Sequence, residues 1–284
     1  MSRVPEPILA ASAALLVLLG WHLSGTPLPL VAAALLPAAA WAALIARLDR
    51  SARAAPALLA LCFLWGAAAA AVCSAAANDA VHAWLVALGH AEPARVLTPR
   101  LLAPAIEEMA KAAPLALLLL LAARGRLLGV RAGIVYGGVI GAGFSMTENA
   151  SYFLLATVQG GAASLAQSIY LRGGLGGLNH AAFTALVGAG SGFGRARQGQ
   201  WRWLAPALGV VAAIATHALW NNIAAVAIDH AVCNPAVPDG ACRAPAPALT
   251  LLVVAPLLIA LGLAPAVGLV VAAAYLATTD RRSP

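Results

Sequence analysis

The chain has 284 residues, 62% of them hydrophobic and 10% charged, where a soluble domain carries roughly 25% charged residues. A mean hydropathy of +0.89 excludes an ordinary soluble fold. The formal charge of +7 does not mark a nucleic-acid binder, because all basic residues but Lys111 are Arg and most lie in short segments between apolar runs, where they act as topology signals.

Apolar runs near the spanning length of about 20 residues occur at 8–24, 28–46, 55–77, 101–122, 132–154, 178–193, 204–228 and 247–277. They predict an all-α polytopic membrane bundle of about eight transmembrane helices, forming a single integral membrane domain over 1–284. The sixth helix is short, the last can tilt or kink at Pro265, and interfacial helices are expected near 78–100 and 155–177. When alternate loops are assigned to one side, Arg3, Arg47, Arg50, Arg53, Arg124, Arg126, Arg131, Arg195, Arg197, Arg202, Arg281 and Arg282 fall together. The opposite side receives Arg95, Arg100, Arg172 and Arg243. Positive charge stays cytoplasmic, so both termini are expected inside.

Residues 1–77 hold three helices with almost no intramembrane polarity and read as scaffold, as does the C-terminal helix within 245–284. The first run is not followed by a small-residue cleavage site, so a retained helix is expected rather than a secretory signal. Cys62 and Cys73 read as small packing groups. Cys233 and Cys242 bracket a loop on the outer side that suits a disulfide better than a zinc site.

Residues 101–228 differ, because they hold the intramembrane carboxylates and histidines. Gly133, Gly137 and Gly141, and again Gly188 and Gly192, are four apart, a spacing that lets helix backbones approach closely in lipid and implies a tight four-helix core. The glycine-rich stretch from Arg172 to Asn179 lacks either nucleotide fingerprint and reads as a hinge into the sixth helix.

A carboxylate at the bilayer centre costs about 2.5–3.5 kcal/mol on insertion scales, so buried copies call for a use. Glu107, Glu108 and Lys111 lie within one helical turn, and Lys111 can pair with either glutamate. Such a pair could serve helix packing alone, yet that leaves one carboxylate without a cation and does not account for Glu148. In the fifth helix Phe144, Glu148 and Tyr152 share a face, where the Tyr152 hydroxyl can donate to the carboxylate. His180 precedes Thr184 by four residues and His217 precedes Asn221 by four. At about 1.5 Å per residue, Glu107, Glu108, Glu148, His180 and Asn221 count into the outer half of the bilayer and His217 near its midplane, so four helices converge on one layer that should open outward.

These residue types suit hydrolysis. A glutamate in an apolar pocket can take a proton from water. Histidines with a further carboxylate suit Zn²⁺ with one position left for water, and Asn221 could polarise a scissile carbonyl. No serine or cysteine nucleophile is evident: Ser145 and Ser191 have no base at a predictable spacing.

Four motifs, Glu107-Glu108-Met-Ala-Lys111, Gly143-Phe144-Ser-Met-Thr-Glu148-Asn149-Ala-Ser-Tyr152-Phe153, Arg172 through His180, and His217-Ala-Leu-Trp-Asn221, together resemble the PrsW family of intramembrane proteases over residues 101–222. More distantly they are similar to the CAAX-processing and bacteriocin-processing membrane endopeptidases. The resemblance implies a multi-pass enzyme of the bacterial plasma membrane that clips a single-span membrane protein or peptide, typically in the route that frees sigma factors from anti-sigma proteins. It implies Glu107 as general base, Glu108 held by Lys111 as its orienting partner, His180 and His217 as metal ligands with Glu148 assisting, and Asn221 at the oxyanion. Lys111, Asn149, Tyr152 and Arg172 support them. Zn²⁺ is the implied cofactor, and a metal-free glutamate mechanism using the same residues stays open. Two other classes also stay open: a proton-coupled carrier, although the polar block is unrepeated where carriers often show related halves, and a silent relative that binds single-span partners.

Overall fold

The structure, a computed structural model, describes residues 5–49, 56–121, 129–195 and 197–231, together with the isolated positions 257, 260, 264 and 268. These residues form helices and connecting turns without a strand. The helices are α1 (Glu6–His22), α2 (Leu28–Ala46), α3 (Pro56–Ala87), α4 (Ala91–Leu97), α5 (Ala103–Leu121), α6 (Val130–Ser168), α7 (Asn179–Arg195) and α8 (Trp201–Ala231). The expected helix over 247–277, apart from its isolated positions, and the Cys233–Cys242 pair lie outside the described residues.

Local chemistry sets several boundaries. Pro5 and Pro27 stand just before α1 and α2, where a missing N–H costs nothing. Gly89 and Gly199, at φ 83° and 65°, form the left-handed turns after α3 and before α8 that a side chain would resist. The stretches near 78–100 and 155–177, expected to hold interfacial helices, are helical, and largely as continuations of the spans beside them. α3 runs on to Ala87 through a π-helical stretch at Trp65–Ala70. α6 continues past 154 to Ser168 with a kink at Gly161, then passes through a π-helical stretch at Ile169–Leu175 into α7. A π-helical stretch at Thr98–Leu102 leads into α5.

Among the described residues, Leu28–Ala46, Pro56–Ala87 and Trp201–Ala225 are long and apolar enough to cross a membrane. The burial pattern is inverted relative to a soluble protein. Val17 is 74% and Leu36 70% exposed, while Glu108 and Lys111 are 0% exposed. Apolar side chains outside and ion pairs inside are what lipid surroundings select.

α6 is the central element, packed against α7, α2 and α3. Its contact with α7 is backbone on backbone: a Cβ at Gly133, Gly137 or Gly141 would collide with the carbonyl of Gly188, Thr184 or His180 respectively. The glycine spacing read from the sequence is thus a close helix crossing, and it sets the height of His180 relative to Glu148. On the other face Gly143 lies against the Phe63 carbonyl of α3, and the Thr147 hydroxyl donates to the Ala67 carbonyl.

Candidate active site

Proline places α5. Pro114 has no N–H for the carbonyl four residues back, and that carbonyl, Ala110, accepts from the Trp65 indole at 3.1 Å. At the start of α5 the Ala103 amide turns to Thr98, and Pro104 has no N–H to give Arg100. The freed carbonyls of Pro99 and Arg100 accept from Asn221 at 2.9 Å and Asn222 at 3.2 Å. α5 is therefore pinned to α3 at one level and to α8 at another, with Glu107, Glu108 and Lys111 between.

Lys111 is the hub. Its Nζ lies 2.8 Å from Glu108 Oε1, 3.1 Å from His180 Nδ1, 3.6 Å from Glu107 Oε2 and 3.6 Å from the centre of the Phe144 ring. Glu108 is saturated, since Oε1 also meets His217 Nδ1 at 3.0 Å and Oε2 accepts from the Thr184 hydroxyl at 3.0 Å. Because a carboxylate can only accept, His217 carries its proton on Nδ1, and its bare Nε2 faces Glu107 Oε2 at 3.8 Å. His180 has the opposite tautomer: an ammonium can only donate, so Nδ1 accepts from Lys111 and the proton is left to Nε2, which lies 2.6 Å from Glu148 Oε2.

Glu148 is held from the far side by Arg172 Nη2 at 2.7 Å, while Arg172 Nε donates to Asn149 Oδ1 at 3.0 Å and the guanidinium lies 3.7 Å over the Tyr152 ring. Asn149 is steadied in turn through Ser145 at 3.2 Å. The neighbouring Glu148 and Asn149 thus form one clamp for an arginine brought back by the π-helical stretch. The two histidine rings stand perpendicular with centroids 5.0 Å apart, and Phe183 stacks on His217 at 4.9 Å.

The structure brings together Glu107, Glu108, Lys111, Glu148, His180 and His217, with Arg172 and Asn149 behind Glu148. Asn221, read as an oxyanion group, sits one turn beyond His217 with its Nδ2 committed to the Pro99 carbonyl. Tyr152, read as a donor to Glu148, meets Arg172 through its ring. Two contributions escaped the sequence reading. Thr184 stands out in the sequence only for its spacing from His180, and nothing there marks Asn179, which is buried with neither amide atom partnered among the described residues.

The donor set fits a cation. Glu107, His180 and His217 each offer a ligand atom, all within 4.8 Å of one another, and nitrogen with carboxylate oxygen is a zinc-type set. Glu107 Oε2 is buried with no hydrogen-bond partner among the described residues, as an atom awaiting a cation or a water would be. The sequence reading had Glu148 in that set, whereas the cluster contains Glu107. One feature runs against easy occupancy, since both nitrogens of His180 already face partners.

The model of the PrsW family of intramembrane metalloproteases matches residues 54–261. No curated protein and no solved structure matches the chain.

Proposed function

Because the chain belongs to the PrsW family, a family of intramembrane proteases, we propose that it is an endopeptidase that hydrolyses a peptide bond of a single-span membrane protein or peptide, with Glu107 activating the water. The observation that carries this reading is the inequality among the three glutamates. Glu108 has its oxygens taken by Lys111, His217 and Thr184, and Glu148 is engaged by Arg172 and His180. Glu107 Oε2 makes no hydrogen bond among the described residues and has only longer contacts, to Lys111 Nζ at 3.6 Å and to the bare Nε2 of His217 at 3.8 Å, where Glu108 and Glu148 are held at 2.8 Å and at 2.7 and 2.6 Å. A water between Glu107 Oε2 and His217 Nε2 has an acceptor for its proton on one side and is held in place from the other.

In this reading Glu108 fixes the tautomer of His217 and holds Lys111, whose ammonium balances the buried carboxylates. His180 stands opposite with Nε2–H, and Arg172 and Asn149 keep Glu148 in line with that ring. Glu107, His180 and His217 would hold a divalent cation, which when bound would polarise the carbonyl and the water. The occupied nitrogens of His180 favour, as a second reading, the same hydrolysis run without a cation. Asn221 fixes the start of α5, and through it the height of Glu107.

The proposed setting is the bacterial plasma membrane, with about eight spans, both termini cytoplasmic and the site open to the extracytoplasmic side, so the substrate bond lies near that surface. Labelling of single cysteines placed at Arg3 and in 78–100 from either side of the membrane tests this orientation. For the chemistry, the purified protein is given a library of single-span peptides, and Glu107→Gln is expected to abolish cleavage while the protein keeps its fold. Full cleavage by that variant refutes the reading. Metal analysis of the wild type beside His217→Ala separates the two versions: a stoichiometric cation lost in the variant supports the metal-dependent one.

A further inference from the structure

Asn179 is 2% exposed, and neither its Oδ1 nor its Nδ2 has a hydrogen-bond partner among the described residues. A buried, unpaired carboxamide costs stability. It lines a cavity of about 210 Å³ between α7, α8 and Ala264, whose other walls include Phe183, Leu186, Thr216, Leu219 and Trp220. The cavity is smaller than the about 300–1,000 Å³ of drug-sized sites and almost wholly apolar apart from that amide and the Thr216 hydroxyl, which already donates to the α8 backbone. Leu219 at 52% and Leu186 at 37% exposure flank it on the apolar surface of the bundle. On the other side it shares a wall with the site just described, because Phe183 stacks on His217 at 4.9 Å and lies 6.0 Å from the His180 ring.

We propose that this cavity is the subsite that selects substrate next to the scissile bond: it takes one apolar side chain of a locally unwound segment, and Asn179 pairs with that residue's backbone N–H and C=O. The inference rests on the proteolytic reading and adds to it the substrate class, an apolar span interrupted by a helix breaker. A carboxamide presents one acceptor and two donors, the complement of a peptide unit. A lipid acyl chain offers neither donor nor acceptor and would leave the amide unpaired. An intact helix has its backbone groups already bonded to one another, so only an extended stretch can supply them. Gly176 keeps the space beside the amide open, since a Cβ there would come 3.0 Å from the Leu171 carbonyl, 3.2 Å from the Trp220 ring and 3.7 Å from Asn179 Nδ2.

Binding is tested without turnover, in full-length E107Q protein in lipid nanodiscs. The probe is a synthetic single-span peptide with a Gly-Pro break and a diazirine-bearing leucine beside it. A matched unbroken peptide and a diazirine fatty acid serve as comparisons, and cross-links are mapped by mass spectrometry. The broken peptide is expected to label Leu186, Leu219 or Trp220, the unbroken one to label them about tenfold less, and N179L to lower labelling by about tenfold, the effect of losing one pair of backbone hydrogen bonds. N179L exchanges an unpaired amide for an apolar group of similar size, so its melting temperature is expected to match or exceed that of the parent. A lower one overturns the proposal, because the amide then has a partner at rest. L219W fills the cavity without touching Asn179 and is expected to block labelling as well. Equal labelling by broken and unbroken peptides, labelling retained in N179L or L219W, or displacement of the peptide by the fatty acid each overturns it. Since no step requires cleavage, a chain that proves not to be a protease leaves this result readable, and failed labelling leaves wild-type hydrolysis untouched.

Discussion

Replacing Lys111 with methionine keeps the volume and removes the charge at the hub of the site. In the native arrangement the Nζ sits 2.8 Å from Glu108 Oε1 with both side chains 0% exposed. Breaking a buried pair by deleting one partner typically costs about 3–5 kcal/mol, because the other charge is stranded. Glu108 keeps its contacts with Thr184 at 3.0 Å and His217 at 3.0 Å, which places the expected loss near the lower end, about 3 kcal/mol. That is a large part of a marginal stability of about 5–15 kcal/mol. Glu108→Gln in the same chain removes the stranded charge, so Glu108→Gln/Lys111→Met should recover much of the loss, with a coupling between the two sites of about 1–3 kcal/mol. Reversible unfolding in mixed micelles, followed by tryptophan fluorescence, gives all four stabilities of the cycle. Two effects that simply add, or a Lys111→Met protein as stable as wild type, refute the idea that this pair neutralises the buried site.

Three further outcomes are expected. Gly188→Val drives a side chain into the Gly133 carbonyl and should cost at least about 1–3 kcal/mol as overpacking, whereas Gly20→Ala, which meets nothing within 4 Å, should not; equal unfolding midpoints would refute the close crossing. Thr184→Val deletes the hydroxyl on Glu108 Oε2 and should cost about 1–3 kcal/mol, while Thr184→Ser should retain most of the stability in the same assay. Arg172→Lys keeps the charge but not the fork that reaches Glu148 and Asn149 together, so cleavage should fall about 10- to 100-fold, nearly as far as in Arg172→Met; wild-type rates in Arg172→Lys would leave the clamp without a role.

What was legible beforehand follows from range. Within one helix a spacing of three or four residues is a contact, so the Glu107, Glu108 and Lys111 cluster could be read directly, and the glycine spacing of α6 and α7 announced a close crossing. Contacts across helices depend on rotation about each axis, which spacing alone does not set. Lys111 facing His180, and Glu148 turning to Arg172 instead of the Tyr152 hydroxyl, belong to that class. The fate of Asn221 depended on a different signal, the π-helical turn before α5. The Ala103 amide turns to Thr98 and leaves the Pro99 carbonyl to Asn221, while Pro104 has no N–H for Arg100, whose carbonyl takes Asn222; the residues HxxxN show the asparagine but not the carbonyl it answers. The stretches 78–87 and 155–168 are expected as separate interfacial helices because a span of about 20 residues ends before each of them, yet their Ala and Gln favour continuing the helix once the flanking turns are packed.

The two histidines show how the same carboxylate chemistry yields opposite settings a few ångströms apart. His217 gives its Nδ1 proton to Glu108 and leaves Nε2 bare, whereas His180 accepts Lys111 at Nδ1 and keeps its proton on Nε2, beside Glu148. A cation drawing on both rings therefore finds His217 ready and His180 engaged. Of the two groups engaging His180, Lys111 is fully enclosed and held by Glu108, but Glu148 and Arg172 are 21% and 27% exposed at their side chains. Freeing Nε2 by a shift of Glu148 disturbs only that partly open pair, while freeing Nδ1 would strand the buried ammonium. The division of labour among the glutamates follows from the same geometry: Glu108 is fixed because two helices and a lysine depend on it, Glu148 can yield, and Glu107 is the carboxylate with an oxygen left for chemistry.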